Sequence, residues 1–568
     1  MTIGLVGSGP VIETASLTVD DLDMPVRRTD VDAVQSVDLA IVSGMAGSDG
    51  FETANELAKA GDTPWIAVEL GGIGGTPVDG LDATISTFHP AGACFECLER
   101  RVRANDVDAV EDATADRSAA RVAGSYAGLL ASRIVAGQQR GGVVLEIPYA
   151  ERTLLPVPGC RFADERDRDL DLSASTRTLE ESIAHAEQSI DDRIGIISQV
   201  GEQESFPAPY YLATLAETTG FSDGTVPDRA AGVAAGWDEA FMKALGEGLE
   251  RYSASVYRES FFRRAPVGEV EGPSPAEFVR PSDRPDPDPG ETLSWVPGRN
   301  LETGDQTYLP ADLVHFPPPE SRFVPAITTG LGLGNGSVDA VISGLSEVIE
   351  RDATMIGWYS TFEPLGLSVS DETFQVLSRR AESEGLSVVP TLQTQDVDVP
   401  VVTVAVSRSA WPSFAVGSAA GPDVESVAVS ALSEALQNWM ELRSMGPDRA
   451  DDADGAIGRY AEDPEGAEEL LDPDTVVSAE SVGPADPPTG EAALDFLVDR
   501  LTREGLLAYA ARITPRDVSQ LGFEAVRVLS PESQPLFVDE PFFGDRARSV
   551  PEDLGFEPLL GRAMHPYP

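Results

Sequence analysis

A short helical pattern that occurs three times constrains the fold of this chain most strongly. Its copies span residues 245–251, 345–351 and, more faintly, 432–438, and each reads Leu-x-Glu-x-x-Glu/Gln-Arg/Asn. Residues three and four apart share one face of an α-helix. The pattern therefore predicts three helices, each with one apolar face and one face that carries acidic, amide or basic side chains.

The polar faces of the first two copies concentrate carboxylates. In the first, Leu245 and Leu249 lie on the apolar side, and the polar side holds Lys243, Glu247, Glu250 and Arg251. In the second, Ile342, Leu345 and Ile349 lie opposite Asp339, Ser343, Glu347, Glu350 and Arg351. One such face could simply be solvated, but three copies favour converging carboxylates. Converging carboxylates have to be neutralised, and a divalent cation is the usual means.

Composition excludes several classes of protein. The 568 residues allow two or more domains, and a hydrophobic fraction of 42% excludes wholesale disorder. Acidic residues number 95 against 41 basic ones, and Lys59 and Lys243 are the only lysines. This composition resembles that of halophilic archaeal proteins, in which salt screens the repulsion. The charge also argues against a nucleic-acid partner, which requires a basic surface.

The N-terminal sequence has no basic region typical of a signal peptide. No uninterrupted apolar run approaches the roughly 20 residues of a membrane helix. We therefore expect a soluble, cytoplasmic protein without a membrane partner.

The first hundred residues alternate strand and helix patterns. Apolar runs at 3–9, 38–44 and 65–70 each lead into glycine, and a helical pattern lies at 50–60. This order predicts a parallel α/β unit. The glycine pair in the first run lacks the third glycine of a dinucleotide fingerprint, so we predict no bound nucleotide there.

The three cysteines, Cys94, Cys97 and Cys160, suggest a zinc site. A closed structural site needs four ligands, yet the position that would complete a second pair is Ala163, and His89 is the nearest candidate fourth ligand. The alternative is three buried or free thiols where a zinc site has decayed. A redox role is less consistent with the glutamates that flank the first pair.

Three segments organise the rest of the chain. A charged linker at 161–172 predicts a domain boundary, which gives domains at 1–165 and 173–568. Residues 446–490 form an acidic insert rich in Pro, Gly and Asp, which predicts a surface loop. A glycine-rich run at 323–336 permits close approach of the backbone to a phosphate or sugar. A strand end without a ligand is the alternative for this run.

Residues from about 173 to 568 resemble a YcaO domain, the ATP-using cyclodehydratase of azole-containing peptide biosynthesis. In that family a Ser-x-x-x-Glu-x-x-Glu-Arg helix and an Asn-x-x-x-Glu…Glu-x-x-Glu-Arg helix bind magnesium and ATP. The residues that match are Glu247, Glu250 and Arg251 in the first motif and Asn335, Asp339 (in place of Glu), Glu347, Glu350 and Arg351 in the second.

Further likenesses extend this resemblance. Lys243 stands where the family often has Ser, and an ammonium group could reach a phosphate. Arg546 or Arg548 resembles a late ATP-contacting arginine. Cyclodehydratases of the family often end in a Pro-x-Pro-x-Pro tail that enters the active site, and this chain ends in Met-His-Pro-Tyr-Pro568.

The first 165 residues are similar to the ThiF-like partner domain of such enzymes, through the CxxC and a later Pro-x-x-Cys. In the family this partner binds the leader of a precursor peptide. The resemblance thus implies a ThiF-like (Rossmann-like) α/β domain, with zinc as an optional metal, followed by a YcaO α/β domain whose helices pack on sheets. Such proteins are commonly homodimers.

The resemblance also implies a reaction. A Cys, Ser or Thr of a ribosomally made peptide attacks the preceding carbonyl, ATP phosphorylates the oxygen, and phosphate leaves to give an azoline. Glu247, Glu250, Glu347 and Glu350 are then the expected magnesium ligands. Glu250, Glu350 and Pro568 are the expected catalytic residues. Thioamide formation by the same activation, or an accessory nucleotide-binding protein without turnover, remains an alternative.

Overall fold

The computed structural model describes residues 2–568, apart from 21, 23, 139–140, 149, 163–165, 324 and 454. The chain divides into two compact units. Unit 1 comprises Met1–Arg166, Glu187–Gln199 and Thr214–Asp228, and unit 2 comprises Asp167–Ala186, Val200–Ala213 and Arg229–Pro568. The two later segments of unit 1 differ from the single boundary predicted at 161–172. Ala163 lies outside the described residues.

Unit 1 is built around a mixed β-sheet. Its elements are β1 (Ile3–Val6), α1 (Pro10–Val19), β2 (Val26–Thr29), β3 (Leu39–Met45), α2 (Gly50–Ala60), β4 (Trp65–Leu70), β5 (Gly72–Ile73), β6 (Thr76–Pro77), β7 (Ala83–Phe88), α3 (Phe95–Ala104), α4 (Arg117–Val135), β8 (Val143–Ile147) and β9 (Ala150–Thr153). The sheet has the order β2-β1-β3-β4-β7-β8-β9. Apolar side chains of its strands, α1 and α4 form one core.

The prediction of a parallel unit is correct only for the first half of this sheet. β2, β1, β3 and β4 pair in parallel, whereas β7, β8 and β9 each pair antiparallel to the strand before them in the sheet. A parallel neighbour requires a crossover connection, usually a helix. The chain between β4 and β7 forms the small β5–β6 hairpin instead, so the direction reverses.

Unit 2 and the segments next to it hold the remaining elements. These are α5 (Leu179–Ala186), β10 (Ile197–Glu204), β11 (Tyr210–Leu215), β12 (Arg229–Val233), α6 (Trp237–Ser255), β13 (Arg263–Pro266), β14 (Thr292–Asn300), β15 (Gln306–Pro310), α7 (Ala311–Val314), β16 (Leu331–Gly334), α8 (Ser337–Trp358), β17 (Leu365–Ser368), α9 (Glu372–Ser383), β18 (Ser387–Leu392), β19 (Val401–Ser407), β20 (Phe414–Ala420), α10 (Val424–Met445), α11 (Ile457–Glu462), β21 (Val476–Ser478), α12 (Glu491–Arg503), β22 (Tyr509–Arg512), α13 (Arg516–Gln520), β23 (Glu524–Leu529) and α14 (Arg546–Leu554).

These strands form three further sheets. One has the order β10-β11-β12, one β13-β14-β22-β23-β16 with β15 paired to β14, and one β20-β19-β18-β17-β21. Helices pack on the sheets, so the predicted α/β fold class is confirmed. Within the described part of the chain, every helix falls short of the length and apolar character that a membrane span requires.

The three predicted repeat helices are α6, α8 and α10, and each follows a strand after a short loop. The predicted apolar sides are buried: Leu245 and Leu249 are inaccessible to solvent, and Leu345 and Ile349 are at most 1% exposed. Burial of these side chains anchors each helix and leaves the opposite face for polar groups.

A glycine in each preceding strand brings the helix backbone against the sheet. A methyl group at Gly232, Gly332 or Gly417 would overlap backbone atoms of the following helix. At Gly332 the overlapping atom is the carbonyl oxygen of Ala340, in the first turn of α8. These contacts fix the distance between strand and helix at each repeat.

The prediction of a surface loop at 446–490 is wrong in part. Within it, α11 forms, and β21 pairs in parallel with β17. Tyr460 is 1% exposed and packs against the rings of Trp358 and Phe414. Apolar residues scattered through the acidic segment thus contribute to the core. The average composition of the segment does not indicate this.

Replacing Gly332 by alanine should destabilise the fold by about 1–3 kcal/mol, because the added methyl group forces β16 and α8 apart. The midpoint of urea unfolding measures this effect. Gly561→Ala is the control, since a methyl group there meets no atom within 4 Å. Equal midpoints for the two variants would contradict the close strand–helix contact.

Candidate active site

In each of α6, α8 and α10, the first glutamate of the repeated pattern accepts a hydrogen bond from a backbone amide in or next to the preceding strand. These bonds run from Ala231 N to Glu247 Oε2 (3.0 Å), from Gly330 N to Glu347 Oε2 (2.9 Å) and from Ser418 N to Glu434 Oε2 (2.7 Å). The amide orients each carboxylate and satisfies one of its oxygens. In three chain segments, the same type of backbone hydrogen bond therefore positions a carboxylate.

The second glutamate of α6 and α8 lies one turn further along each helix. Glu350 is 7% exposed and accepts a hydrogen bond of 2.6 Å from Ser418 Oγ. Glu250 is partly buried, and Gln437 takes the matching position of α10. The site thus combines five carboxylates with one amide.

The carboxylates influence one another's ionisation. Burial and the charge of Glu347 raise the pKa of Glu250 to about 8. Burial and the charge of Glu350 raise the pKa of Glu434 to about 7. Like charges in a protein interior disfavour joint ionisation unless a cation neutralises them. Carboxylate oxygens are the ligands that Mg²⁺ prefers, so this donor set fits a magnesium site.

Two predicted arginines lie among these carboxylates. Arg251 Nη2 is 3.3 Å from Glu247 Oε1. Arg351 Nη1 is 3.5 Å from Glu350 Oε1, and its Nε is 3.9 Å from Glu347 Oε1. These guanidinium groups partly offset the acidic charge and offer donors to phosphate oxygens.

Arg527 is a third cation near the site, which the sequence analysis missed. It lies in β23 and donates hydrogen bonds of 2.9 Å to the carbonyl oxygens of Ile327 and Thr328. Burial lowers its pKa to about 10, against the opposing charges of Glu347 and Glu250. An arginine inside the apolar strand pattern Ala-Val-Arg-Val-Leu was the available signal.

Glu434 was also missed as a member of the carboxylate cluster, although it belongs to the third copy of the pattern. That copy has Gln437 and Asn438 where the others have Glu and Arg. The missing charges made it resemble an ordinary core helix. The conserved spacing from the leucine to the first glutamate was the signal that could have identified it.

One cavity of about 850 Å³ opens on one side of the carboxylates. Its lining includes Lys243, Glu247, Glu250, Glu434 and Asn335. The structure thus brings residues of three separate segments to one cavity large enough for a small ligand.

Two further predicted residues, Asn335 and Asp339, lie at or near the first cavity. Asn335 Oδ1 accepts a hydrogen bond of 2.9 Å from Ser182 Oγ. Asp339, in the first turn of α8, is half-buried, which raises its pKa despite nearby Arg177, and it is not among the described lining residues.

Lys243 lies on the wall of this cavity with much of its surface open to solvent. The surrounding protein atoms lower its pKa, whereas the charges of Glu239 and Glu434 raise it. An ammonium group at this place can contact an anionic ligand.

A second cavity of about 480 Å³ is lined by Glu347, Arg251 and Arg351 together with residues of α10. Pro568 also lines it, and Arg351 Nη1 donates a hydrogen bond of 3.2 Å to the Pro568 oxygen. Glu347 therefore belongs to the second cavity, and its neighbour Glu250 to the first.

The segment that leads to Pro568 is held by several hydrogen bonds. Trp358 Nε1 donates to the Ala563 oxygen (2.9 Å), and Tyr460 Oη donates to the Met564 oxygen (2.8 Å). His565 Nε2 lies 2.7 Å from the Phe537 oxygen. These bonds fix the tail where it reaches the second cavity.

Arg546 lies outside both sets of described lining residues. Its guanidinium group pairs with Asp352 (2.7 Å) and Asp396 (2.9 Å). Arg548 is exposed. Arg546 thus lies between two carboxylates, and the contact of Arg546 or Arg548 with ATP stays a prediction.

The cysteines of unit 1 converge. The sulfurs of Cys94, Cys97 and Cys160 lie within 4.8 Å of one another and are buried. Cys94 Sγ is 3.7 Å from Cys97 Sγ and 3.6 Å from Cys160 Sγ. Zn–S bonds of about 2.3 Å separate tetrahedral sulfurs by roughly 3.8 Å, so the three thiols fit three ligands of a zinc ion.

His89, the expected fourth ligand, is exposed and does not join this group. The Glu96 carboxylate is nearer, with Oε2 at 3.7 Å from Cys160 Sγ and 3.0 Å from Arg161 Nε. A fourth ligand to zinc would come from Glu96 or from solvent.

We expect the chain purified from zinc-supplemented cells to hold about one zinc ion, because three thiolates bind Zn²⁺ tightly. Plasma mass spectrometry of Cys97→Ala should show loss of that zinc, whereas His89→Ala should retain it. Zinc-free protein with three titratable thiols would instead support free cysteines.

Without Mg²⁺, the free energy of unfolding should fall as the pH rises. The pKa of Glu250 is raised from 4.5 to about 8, so the folded state holds the extra proton between these values. The fall from pH 5 to pH 8 is on the order of 3 kcal/mol. Mg²⁺ or Glu250→Gln should reduce it.

Urea unfolding at several pH values, with EDTA or Mg²⁺, measures this slope. Glu382→Gln is the control, since this glutamate of α9 is exposed. A slope that neither Mg²⁺ nor Glu250→Gln changes would contradict the coupling of carboxylates.

Comparison with known proteins agrees with this geometry. A family model described as "YcaO cyclodehydratase", ATP- and Mg²⁺-binding, matches residues 231–534. A structure of a heterocyclase in complex with substrate and cofactor aligns with 100% of this chain and 85% of its own (TM-score 0.73, 18% identity). The heterocyclase TruD aligns with 98% of this chain and 82% of its own (TM-score 0.67, 17% identity).

A curated relative from Methanothermobacter thermautotrophicus is an uncharacterized protein, 34% identical over 127 residues. The match covers 22% of this chain and about a third (32%) of the relative. The residues that match the family model, 231–534, include Glu247, Glu347 and Glu434. The chain belongs to the YcaO cyclodehydratase family.

Proposed function

We propose that this chain uses ATP and Mg²⁺ to activate backbone amides of a ribosomally made peptide, and so forms azolines from Cys, Ser or Thr. The observation that carries this proposal is a cluster of five carboxylates between two cavities. An amide oxygen is a poor leaving group, and phosphorylation makes it a good one. Such a transfer needs positioned reactants and neutralised phosphate charge.

The carboxylates hold the metal in this proposal. Glu247, Glu250, Glu347 and Glu350, joined by Glu434, supply the oxygen ligands. Bound Mg²⁺ neutralises phosphate charge.

Groups on both sides of the carboxylates hold the nucleotide in this proposal. Lys243 and Asn335 contact it from the wall of the first cavity, and Arg251 and Arg351 contact phosphate oxygens from the side of the second cavity. Asp339, in the first turn of α8, supports these nucleotide-binding residues.

The second cavity receives the peptide in this proposal. It contains Pro568 and the two arginines, and its other walls combine apolar side chains with polar ones. Since the Arg351 guanidinium contacts both the carboxylates and Pro568, we propose that the tail aligns the peptide with the phosphate site.

Unit 1 is proposed to be the ThiF-like partner that binds the precursor's leader, with zinc as a structural metal. We further propose a halophilic source, on the strength of the net charge of −54. A cytoplasmic homodimer is proposed from the resemblance to the family and from the N-terminal sequence. High salt would then be needed for full stability.

Glu347→Gln should abolish peptide-dependent ATP hydrolysis and leave the fold intact. The glutamine oxygen can still accept the amide of Gly330, but the charge that binds the metal is lost. Phosphate release and circular dichroism check both parts, with Glu382→Gln as the control. Normal turnover by Glu347→Gln would contradict the assigned site.

Mass spectrometry of the precursor peptide tests the reaction itself. Azoline formation removes one water for each ring, whereas thioamide formation exchanges one oxygen for sulfur. Loss of water supports the proposal. Oxygen–sulfur exchange, or an unchanged peptide with ATP, Mg²⁺ and high salt present, would overturn it.

A further inference from the structure

Helix α10 contributes to both cavities. Its residues Ser430, Glu434 and Gln437 line the first cavity. Its later residues Asn438, Glu441, Leu442 and Met445 line the second. One helix therefore connects the carboxylate cluster with the cavity on the other side, and the later residues have no part in the function proposed so far.

Glu441 has an unusual hydrogen-bonding arrangement. Its Oε1 accepts two hydrogen bonds, from Tyr210 Oη (3.3 Å) and from Gln437 Nε2 (3.1 Å). Its Oε2 has no hydrogen-bond partner among the described residues. Two donors thus fix the orientation of the carboxylate through one oxygen, and the other oxygen remains able to accept a proton.

The other ionisable groups that line the second cavity are less suited to accept a proton. Arg251 and Arg351 are cations that do not lose their protons in proteins. Glu347 is held by the Gly330 amide within the carboxylate cluster. Asp452 is exposed and paired with Arg449 at 3.2 Å. Among the described lining residues, Glu441 is the partly buried carboxylate that remains.

The surroundings of Glu441 hold its pKa above the usual value of a glutamate. Burial raises its pKa, the hydrogen bonds from Gln437 and Tyr210 lower it, and the charge of Glu247 raises it. A base is most effective when its pKa lies near the working pH.

Resting on the proposed function, we propose that Glu441 is the general base that accepts the proton of the peptide's attacking thiol or hydroxyl group. The group loses its proton to Glu441 Oε2 and forms a bond to the preceding carbonyl carbon. The carbonyl π electrons move to the oxygen, which takes the terminal phosphoryl group of ATP and releases ADP. The amide nitrogen then loses its proton to solvent as its electron pair expels phosphate.

The test uses the full chain with ATP, Mg²⁺ and precursor peptides that keep their leader, each with one Cys or one Ser in the core. Glu441→Gln keeps the size and the hydrogen-bond acceptor but cannot take the proton. We expect kcat to fall about 100-fold or more, with little change in KM. ATP binding, measured by calorimetry, should remain as in the wild type.

Tyr210→Phe provides a second readout that a structural role would not produce. Protonation of Glu441 should lower kcat at acidic pH, which gives the acidic limb of the profile of kcat against pH. Loss of the hydrogen bond from Tyr210 raises the pKa of Glu441, so this limb should move to higher pH. The limb should be absent in Glu441→Gln.

The outcomes separate this role from the function on which it rests. Wild-type protein that leaves all peptides unchanged would overturn the proposed function and this role with it. Active wild-type protein with normal kcat in Glu441→Gln would overturn the role of Glu441 alone. An acidic limb that neither variant changes would also overturn it, even if Glu441→Gln folds poorly.

Discussion

The site depends on one kind of hydrogen bond. The donor is a backbone amide in or next to a strand, and the acceptor is the first glutamate of the repeated pattern in the helix that follows. It occurs at Glu247, Glu347 and Glu434. Each carboxylate is oriented before any ligand binds, and the backbone dipole offsets part of its charge. Without this support, several partly buried carboxylates would separate toward solvent. The glycines of the preceding strands permit the bond, because they let each helix backbone approach the sheet.

The sequence was sufficient to predict the three helices and four of the five glutamates. Helical periodicity is a local property, so the burial of Leu245 and Leu345 and the grouping of the glutamates on the opposite helix faces follow from spacing alone. Glu434 was missed because its helix lacks the charges of the other two. Its role depends on a fold that brings the three helices together, and spacing within one helix carries no such information.

Other features depend on contacts between distant segments. Arg527 is near the site because β23 pairs with β16, and Arg546 pairs with Asp352 and Asp396, which are distant from it in the sequence. Residues 446–490 looked like a loop because composition averages over a segment, whereas one buried side chain, Tyr460, is enough to tie that segment to the core. The mixed sheet of unit 1 was predicted to be parallel because the periodicity of apolar residues does not reveal the direction of a strand.

The passage of α10 along both cavities sets a fixed spacing. Glu434 and Glu441 are seven residues apart, which at 1.5 Å per residue is about 10 Å along the helix axis. Helix geometry therefore fixes the distance between Glu434 in the first cavity and Glu441 in the second. Inserting or deleting a residue between them would rotate one carboxylate by about 100° away from its cavity. A ligand that contacted both carboxylates would have to match this length.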